Sequence, residues 1–198
     1  MVSRGYLELI IGPMFSGKTS RILEIYRKAK YCNSNIFVLN HSLDTRHGTN
    51  KLVNHNSEGV PCLNYTTIQQ FIDEHVSTGY GDAEQYTETV VLINEGQFFS
   101  DVKKGVIALT EQFKFKVYVC GLDGDYTRSA FGEFLNLIPY SDKIVKLNAL
   151  CVRCRNGTDA PFTYRCCEND NQIMIGAAES YIPVCRECYV EMSTRDSR

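Results

Sequence analysis

The sequence predicts an α/β protein: a P-loop-type parallel β-sheet flanked by helices, with a small cysteine-rich lobe appended at its C-terminal end. Three observations predict it. Short β-branched and aliphatic runs alternate with segments of helical periodicity through the first part of the chain, which implies a mostly parallel sheet covered on both faces. The first such run ends in a glycine-containing loop that opens a helix. From about residue 150 the texture changes, because six of the nine cysteines fall between 151 and 188 and helical periodicity fades. The chain is therefore divided into 1–149, the α/β domain, and 150–198, the lobe.

The elements follow in order. YLELII (6–11) reads as a strand, and the next segment carries Ile22, Ile25, Tyr26 and Ala29 at the spacing of a helix with one buried face. NIFVLN (35–40) is a second strand. Residues 41–62, rich in Asn, His, Ser, Gly and Thr without periodicity, read as one long loop. TTIQQFIDEHV (66–76) is helical, with Thr66 or Thr67 as N-cap, and VVLIN (90–94) is the third strand. VKKGVIALTEQF (102–113) is a helix, KVYVCG (116–121) the fourth strand, and KIVKLN (143–148) a candidate fifth.

Composition narrows the function. The chain has 198 residues, is 43% apolar and carries a net charge of −2, with 21 basic against 23 acidic residues and no run of either sign. This argues against an electrostatic grip on nucleic acid or on an anionic membrane. The apolar run after Met1 stops at Gly12 and Pro13, too short for a signal peptide, and no stretch approaches a membrane span. Nine cysteines is an odd number, so free thiols and metal ligands are expected rather than a disulfide framework, in a cytoplasmic protein.

Gly12-Pro13-Met14-Phe15-Ser16-Gly17-Lys18-Thr19 fits G-x-x-x-x-G-K-[ST]. The glycines let backbone N–H groups curl toward phosphate oxygens at a helix N-terminus, Lys18 would reach the β- and γ-phosphates, and Thr19 would place a hydroxyl on Mg²⁺. With glycine near 7% of residues, chance produces the pattern in about one chain in a hundred. Here it also lies between a predicted strand and a predicted helix. No complete NKxD-like segment is present, the nearest being Asn50-Lys51-Leu52-Val53, which favours ATP over a guanine nucleotide.

The third strand ends in Asn94-Glu95-Gly96-Gln97-Phe98-Phe99. Ligands of parallel α/β sheets sit beyond the carboxyl ends of the strands, so Glu95 faces the same crevice as the phosphate loop. It could orient a water, as in an ATPase, or accept a proton from a substrate hydroxyl, as in a kinase. Phe98 and Phe99 are either a stacking platform for a flat base or ordinary core.

Taken together these segments resemble the thymidine kinases of the zinc-containing type found in animals, poxviruses and bacteria. GPMFSGKT is similar to that family's phosphate loop, Asp44-Thr45-Arg46 to its DTR segment, NEGQFF to its DEGQFF segment, and GLDGDYTRSAFG (121–132) to its LDG-F-R-PFG stretch. The paired C-x-x-C motifs and GAAESYIPVCRECY (176–189) complete the resemblance, which covers nearly the whole chain. It implies transfer of the γ-phosphate of ATP to the 5′-hydroxyl of thymidine, with Glu95 as general base. ATP and Mg²⁺ would be held by Gly12, Pro13, Met14, Phe15, Ser16, Gly17, Lys18, Thr19, Asp44, Thr45, Arg46, Asn94 and Gln97. The nucleoside would be held by Met14, Phe98, Leu122, Tyr126, Phe131, Thr163 and Tyr181, and by Gln172, Ile173, Met174, Ile175 and Gly176 of a lasso-like loop in the C-terminal lobe. Arg46, Arg128 and Arg165 are candidates for phosphate or loop contacts. A homotetramer and feedback restraint by thymidine triphosphate are implied as well. Two positions depart from the family pattern: Asn94 replaces the usual Asp near Mg²⁺, and Tyr126 replaces the usual Phe. Asn94 keeps an acceptor oxygen without the charge, so weakened Mg²⁺ dependence is expected rather than inactivity.

Cys151-x-x-Cys154 and Cys185-x-x-Cys188 are two thiolate pairs that together suit one tetrahedral Zn²⁺, and the resemblance implies zinc at these positions. FTYRC and QIMIG between them read as a hairpin carrying the lasso, which a zinc clamp would order. Cys166 and Cys167 are spare thiols, and Cys32, Cys62 and Cys120 read as small buried residues. Two rivals remain at this level: a pyrimidine deoxynucleoside kinase of broader range, to which the Tyr126 hydroxyl points, and a zinc-ribbon P-loop ATPase that binds nucleic acid.

Overall fold

The computed structural model of the chain describes residues 4–44, 50–77, 86, 88–167 and 180–196. Strand β1 (Tyr6–Ile11) pairs in parallel with β7 (Lys116–Gly121) on one side and β8 (Lys143–Lys146) on the other. Beyond β7 lie β6 (Thr89–Ile93), β2 (Asn35–His41) and β5 (Leu63–Tyr65), giving six strands in the order β5-β2-β6-β7-β1-β8, every pair parallel.

The alternation of side chains along these strands divides the core in two. Leu7, Leu9, Val91, Ile93, Val117 and Val119 pack on one face, against α2 (Ile68–Phe71) and α3 (Val102–Ile107). Ile10, Val90, Leu92 and Cys120 pack on the other, against Ile22, Ile25 and Ala29 of α1 (Lys18–Tyr31). A strand buried on both faces reads as a continuous apolar run, as VVLI does. Each such side chain contributes about 1.5–3 kcal/mol by leaving water. The exception is Glu8, 3% exposed in the middle of β1. It accepts from the Tyr6 hydroxyl at 2.9 Å and faces Lys143 at 3.3 Å and Arg21 at 4.0 Å, which ties β1, β8 and α1 together beneath the phosphate loop.

Both predicted helices on the first face are present, but neither is α-helical throughout. α2 begins with Thr67 as N-cap in a capping box with Gln70, and the Asp101 carboxylate accepts from the N–H groups of Ile68 and Gln69 at 2.8 Å each. It widens into a π-helical segment over Ile72–Val76, as α3 does over Ala108–Gln112. In the latter the Thr110 hydroxyl donates to the carbonyls of Val106 and Ile107.

The structure corrects three expectations. Residues 41–62 are not one loop, because β3 (Lys51–Val53) and β4 (Gly59–Pro61) form an antiparallel hairpin, and β5 then adds a sheet strand not anticipated. Three-residue strands carry too little alternation to be seen. What makes the hairpin is the Asn54 side chain, whose Oδ1 accepts from the N–H groups of Asn56 and Glu58 at 3.0 Å each. Cys32 is exposed, not buried. The strand Phe162–Arg165 (β11) pairs antiparallel with Tyr181–Val184 (β12), while QIMIG lies outside the described residues. Finally, the lobe contains a helix, α4 (Arg186–Asp196), missed because only a narrow strip of it, including Tyr189 and Met192, packs inward.

The remaining strands, β9 (Ala149–Leu150) and β10 (Asp159–Ala160), form a short hairpin in the lobe. Its core is small: Ala149, Cys151, Ala160, Tyr164, Val184, Cys185 and Tyr189.

Candidate active site

Because the whole sheet is parallel, the carboxyl ends of β1, β2, β6 and β7 open on the same edge, and the segments leaving them build the site. After β1 comes the phosphate loop. Gly12 passes so close to β8 that a Cβ there would lie 2.4 Å from the Leu147 carbonyl oxygen. Gly17, with φ 84°, turns the chain into α1. Lys18 folds back inside the loop, its Nζ donating to the carbonyls of Pro13 at 2.5 Å and Gly12 at 3.1 Å. Ser16 donates to Pro13 O at 2.8 Å, and Thr19 is half-buried at the start of the helix. The loop is held from two sides: Met14 N–H donates to the Thr163 hydroxyl of the lobe at 2.9 Å, and the Phe15 ring lies 5.4 Å from that of His55 in the β3–β4 turn.

After β2 and β6 stands a buried chain of polar side chains. The Cys120 thiol donates to Asn94 Oδ1 at 3.1 Å, Asn94 Nδ2 donates to Asn40 Oδ1 at 2.8 Å, and Asn40 Nδ2 donates to Asp44 Oδ2 at 3.3 Å. Asn94 and Asn40 are 2% and 3% exposed, so these partners take the place of water for both amides. Of the predicted DTR segment, Asp44 is placed here, while Thr45 and Arg46 lie outside the described residues.

Glu95 follows in the left-handed region, φ 53° and ψ 46°. Such a conformation costs a non-glycine residue on the order of 1–3 kcal/mol and is found where a turn must place a functional group. It turns the chain from β6 into a 3₁₀ turn over Gly96–Phe98. The Glu95 Oε2 accepts from Gln97 Nε2 at 2.7 Å, and Gln97 Oε1 accepts from the Leu122 N–H, just past β7, at 3.1 Å.

The two phenylalanines separate here. Phe99 is 1% exposed and belongs to the core, whereas Phe98 is half-buried and meets Phe131 edge-on at 5.5 Å. His41, which no motif in the chain singles out, lies 5.8 Å from Phe98 and 4.8 Å from Phe99 and packs against both rings. Burial pushes its imidazole below the ordinary range, and Nδ1 accepts from the Leu43 N–H at 3.1 Å.

The 122–131 segment reaches the lobe. Asp125 Oδ1 accepts from the N–H groups of Thr127 at 2.8 Å and Ser129 at 2.9 Å, folding the turn that presents Tyr126 and Arg128. The Arg165 guanidinium, 7% exposed, stacks 3.6 Å from the Tyr126 ring and donates to the Tyr181 hydroxyl at 2.7 Å. Arg128 lies 4.2 Å over the Tyr189 ring, whose hydroxyl donates to Tyr126 O at 2.7 Å. Gln172, Ile173, Met174, Ile175 and Gly176 lie outside the described residues.

In the lobe the sulfurs of Cys151, Cys154, Cys185 and Cys188 lie within 4.8 Å of one another, with Cys154 3.7 Å from Cys185 and 3.6 Å from Cys188. Four thiolates at about 2.3 Å from one ion in a tetrahedron stand about 3.8 Å apart, so the donor set fits such a metal. Burial pushes the Cys151 thiol up, but the N–H groups of Cys154, Cys185 and Arg153 bring it down to about 6.

A family described as thymidine kinase matches residues 5–189. The chain belongs to the thymidine kinase family. A thymidine kinase of Bacteroides thetaiotaomicron is 32% identical over 201 residues, covering 98% of this chain and 92% of that protein. One of vaccinia virus is 34% identical over 188 residues, covering 94% and 98%, and one of rice is 34% identical over 188 residues, covering 94% and 67%. The chain is thus a thymidine kinase by family, an enzyme that phosphorylates thymidine with the ATP that its kinase family implies. This displaces the nucleic-acid-binding ATPase reading. No helix among the described residues is long and apolar enough to cross a membrane.

Proposed function

We propose that this thymidine kinase moves the γ-phosphate of MgATP to the 5′-hydroxyl of thymidine, with Glu95 accepting the hydroxyl proton. What supports the reading above all is the position of Glu95: it projects from the edge of the sheet that carries the phosphate loop, in a backbone conformation that only a fixed turn sustains. The loop N–H groups and Lys18 bind the phosphates, with Lys18 exchanging its carbonyl partners for phosphate oxygens. Thr19 and Asp44, with Asn94 behind them, hold Mg²⁺, which when bound offsets the charge of the transferring group. Phe98, Phe131, Leu122 and Met14 enclose the thymine, Tyr126 and Tyr181, joined through Arg165, border it, and residues 172–176 contribute nucleoside contacts as the family resemblance implies. The four cysteines hold a structural Zn²⁺ that orders the 150–198 lobe. A homotetramer restrained by thymidine triphosphate, in the cytoplasm, belongs to the same reading.

The deciding experiment is ADP release by purified protein with ATP and Mg²⁺, with and without thymidine. Release that requires thymidine, with a 5′-monophosphate as product, is expected. Equal release without it would mean that water is the acceptor.

The polar chain at Asn94 yields a second expectation. An aspartate there has no donor for Asn40 Oδ1, so Asn40 must reverse its amide and give up its bond to Asp44. Asn94→Asp is therefore expected to lower stability by about 1–3 kcal/mol with no gain in turnover or Mg²⁺ affinity. Denaturant melts and Mg²⁺ titrations measure both, and a rise in kcat would show that charge at this position limits the enzyme.

A further inference from the structure

We infer that Gln97 is a positioning residue, which fixes the Glu95 carboxylate and ties it to the wall of the nucleoside pocket. The inference rests on the reading of Glu95 as the base. The sequence resemblance groups Gln97 with the nucleotide contacts, and in the structure its amide meets two protein groups: Nε2 donates to Glu95 Oε2 at 2.7 Å and Oε1 accepts from the Leu122 N–H at 3.1 Å. One Nε2 hydrogen and the Oε1 are engaged within the protein, and the residue is 4% exposed.

The surrounding chain is shaped around it. A Cβ on Gly121 would lie 2.7 Å from Gln97 Oε1, and one on Gly132 would lie 2.6 Å from the Gln97 carbonyl oxygen. Only glycine at these two places leaves the slot open, and Gly132 also has φ 61°. Gln97 is thus closely enclosed, and a carboxylate bound to it is held with it. A general base acts only within hydrogen-bond reach of the proton it takes, and a misplacement of about an ångström is costly. Because the same amide holds the backbone of Leu122, a displacement of the pocket wall moves the base with it. Gln97 therefore couples nucleoside seating to the placement of the base.

Two substitutions separate this from other roles. Gln97→Glu keeps the length and the acceptor for Leu122 but turns the donor facing Glu95 into a repelling oxygen. Gln97→Met keeps the bulk and loses both bonds. Loss of a hydrogen bond to a charged group corresponds to about a 10–100-fold fall in kcat for each variant, with KM for ATP within about twofold because the residue acts through Glu95. In a Glu95→Gln background, Gln97→Met should cause no further loss, because its effect passes through Glu95. Melting curves identify a variant that fails to fold, and Gln97→Glu then decides. The proposal is overturned if kcat survives both substitutions while Glu95→Gln collapses. It is equally overturned if KM for ATP rises with kcat retained, or if the losses in the double variant multiply. Retention of activity by Glu95→Gln itself would instead sink the reading of the base.

Discussion

Replacing Glu95 by glutamine lowers kcat for thymidine phosphorylation by about 10²–10⁴-fold and leaves KM for ATP within a few-fold. The substitution is well controlled. Glutamine has the length of glutamate, its carbonyl can still accept from Gln97 Nε2, and the left-handed backbone at this position is unchanged. What it cannot do is take a proton. Phosphoryl transfer passes through a loose transition state in which little charge develops on the attacking oxygen, so the base contributes less than positioning and phosphate neutralisation do. The lower half of the range is therefore expected. Steady-state assays with labelled thymidine measure it. A loss of less than about threefold would show that no proton is taken by this carboxylate in the rate-limiting step.

Removing one cysteine of the four-sulfur cluster has an effect of similar size by a different route. Cys185→Ala leaves three sulfurs around the same centre and takes one side chain from a core of seven buried residues. Structural Zn²⁺ contributes about 10–16 kcal/mol to the folding of small zinc peptides at neutral pH, more than so small a core supplies. The consequence reaches the active site, because β11 between the two cysteine pairs provides Thr163 to the phosphate loop and Arg165 to Tyr126 and Tyr181. Cys185→Ala is expected to abolish the bound zinc and to lower kcat/KM for thymidine by on the order of 100-fold or more, as the removal of a native staple from a small lobe does. The α/β domain, whose core lies elsewhere, should keep its secondary structure. Metal analysis, circular dichroism and thymidine kinetics test the three parts separately. A wild-type preparation that is fully active with Mg²⁺ but no bound zinc would refute the zinc assignment.

Much of this was legible in the chain itself. GPMFSGKT between a strand and a helix, the run VVLIN ending in Glu95, and the two C-x-x-C pairs each carry their chemistry in a few consecutive residues, and the structure places them where local rules put them. His41, Asn40 and Cys120 were not legible. Each is an ordinary polar or small residue in its own strand, and each matters only through partners far along the chain: Phe98 and Phe99 for His41, Asn94 for the other two. The hairpin over residues 51–61 was missed for a related reason, since Asn54 stabilises it and its strands are too short to show a period.

The sequence by itself thus determined the class of fold, the phosphate-binding loop, the metal-binding cysteines and the carboxylate offered as base, because hydrophobic period and backbone freedom are local properties. Only the tertiary structure decided which of two adjacent phenylalanines joins the core, where each end of the Gln97 amide goes, and which partners satisfy the Asn94 amide. Those are questions of which groups meet across the sheet. A buried polar atom is settled by its partner, and that partner is chosen by the packing of strands distant in sequence.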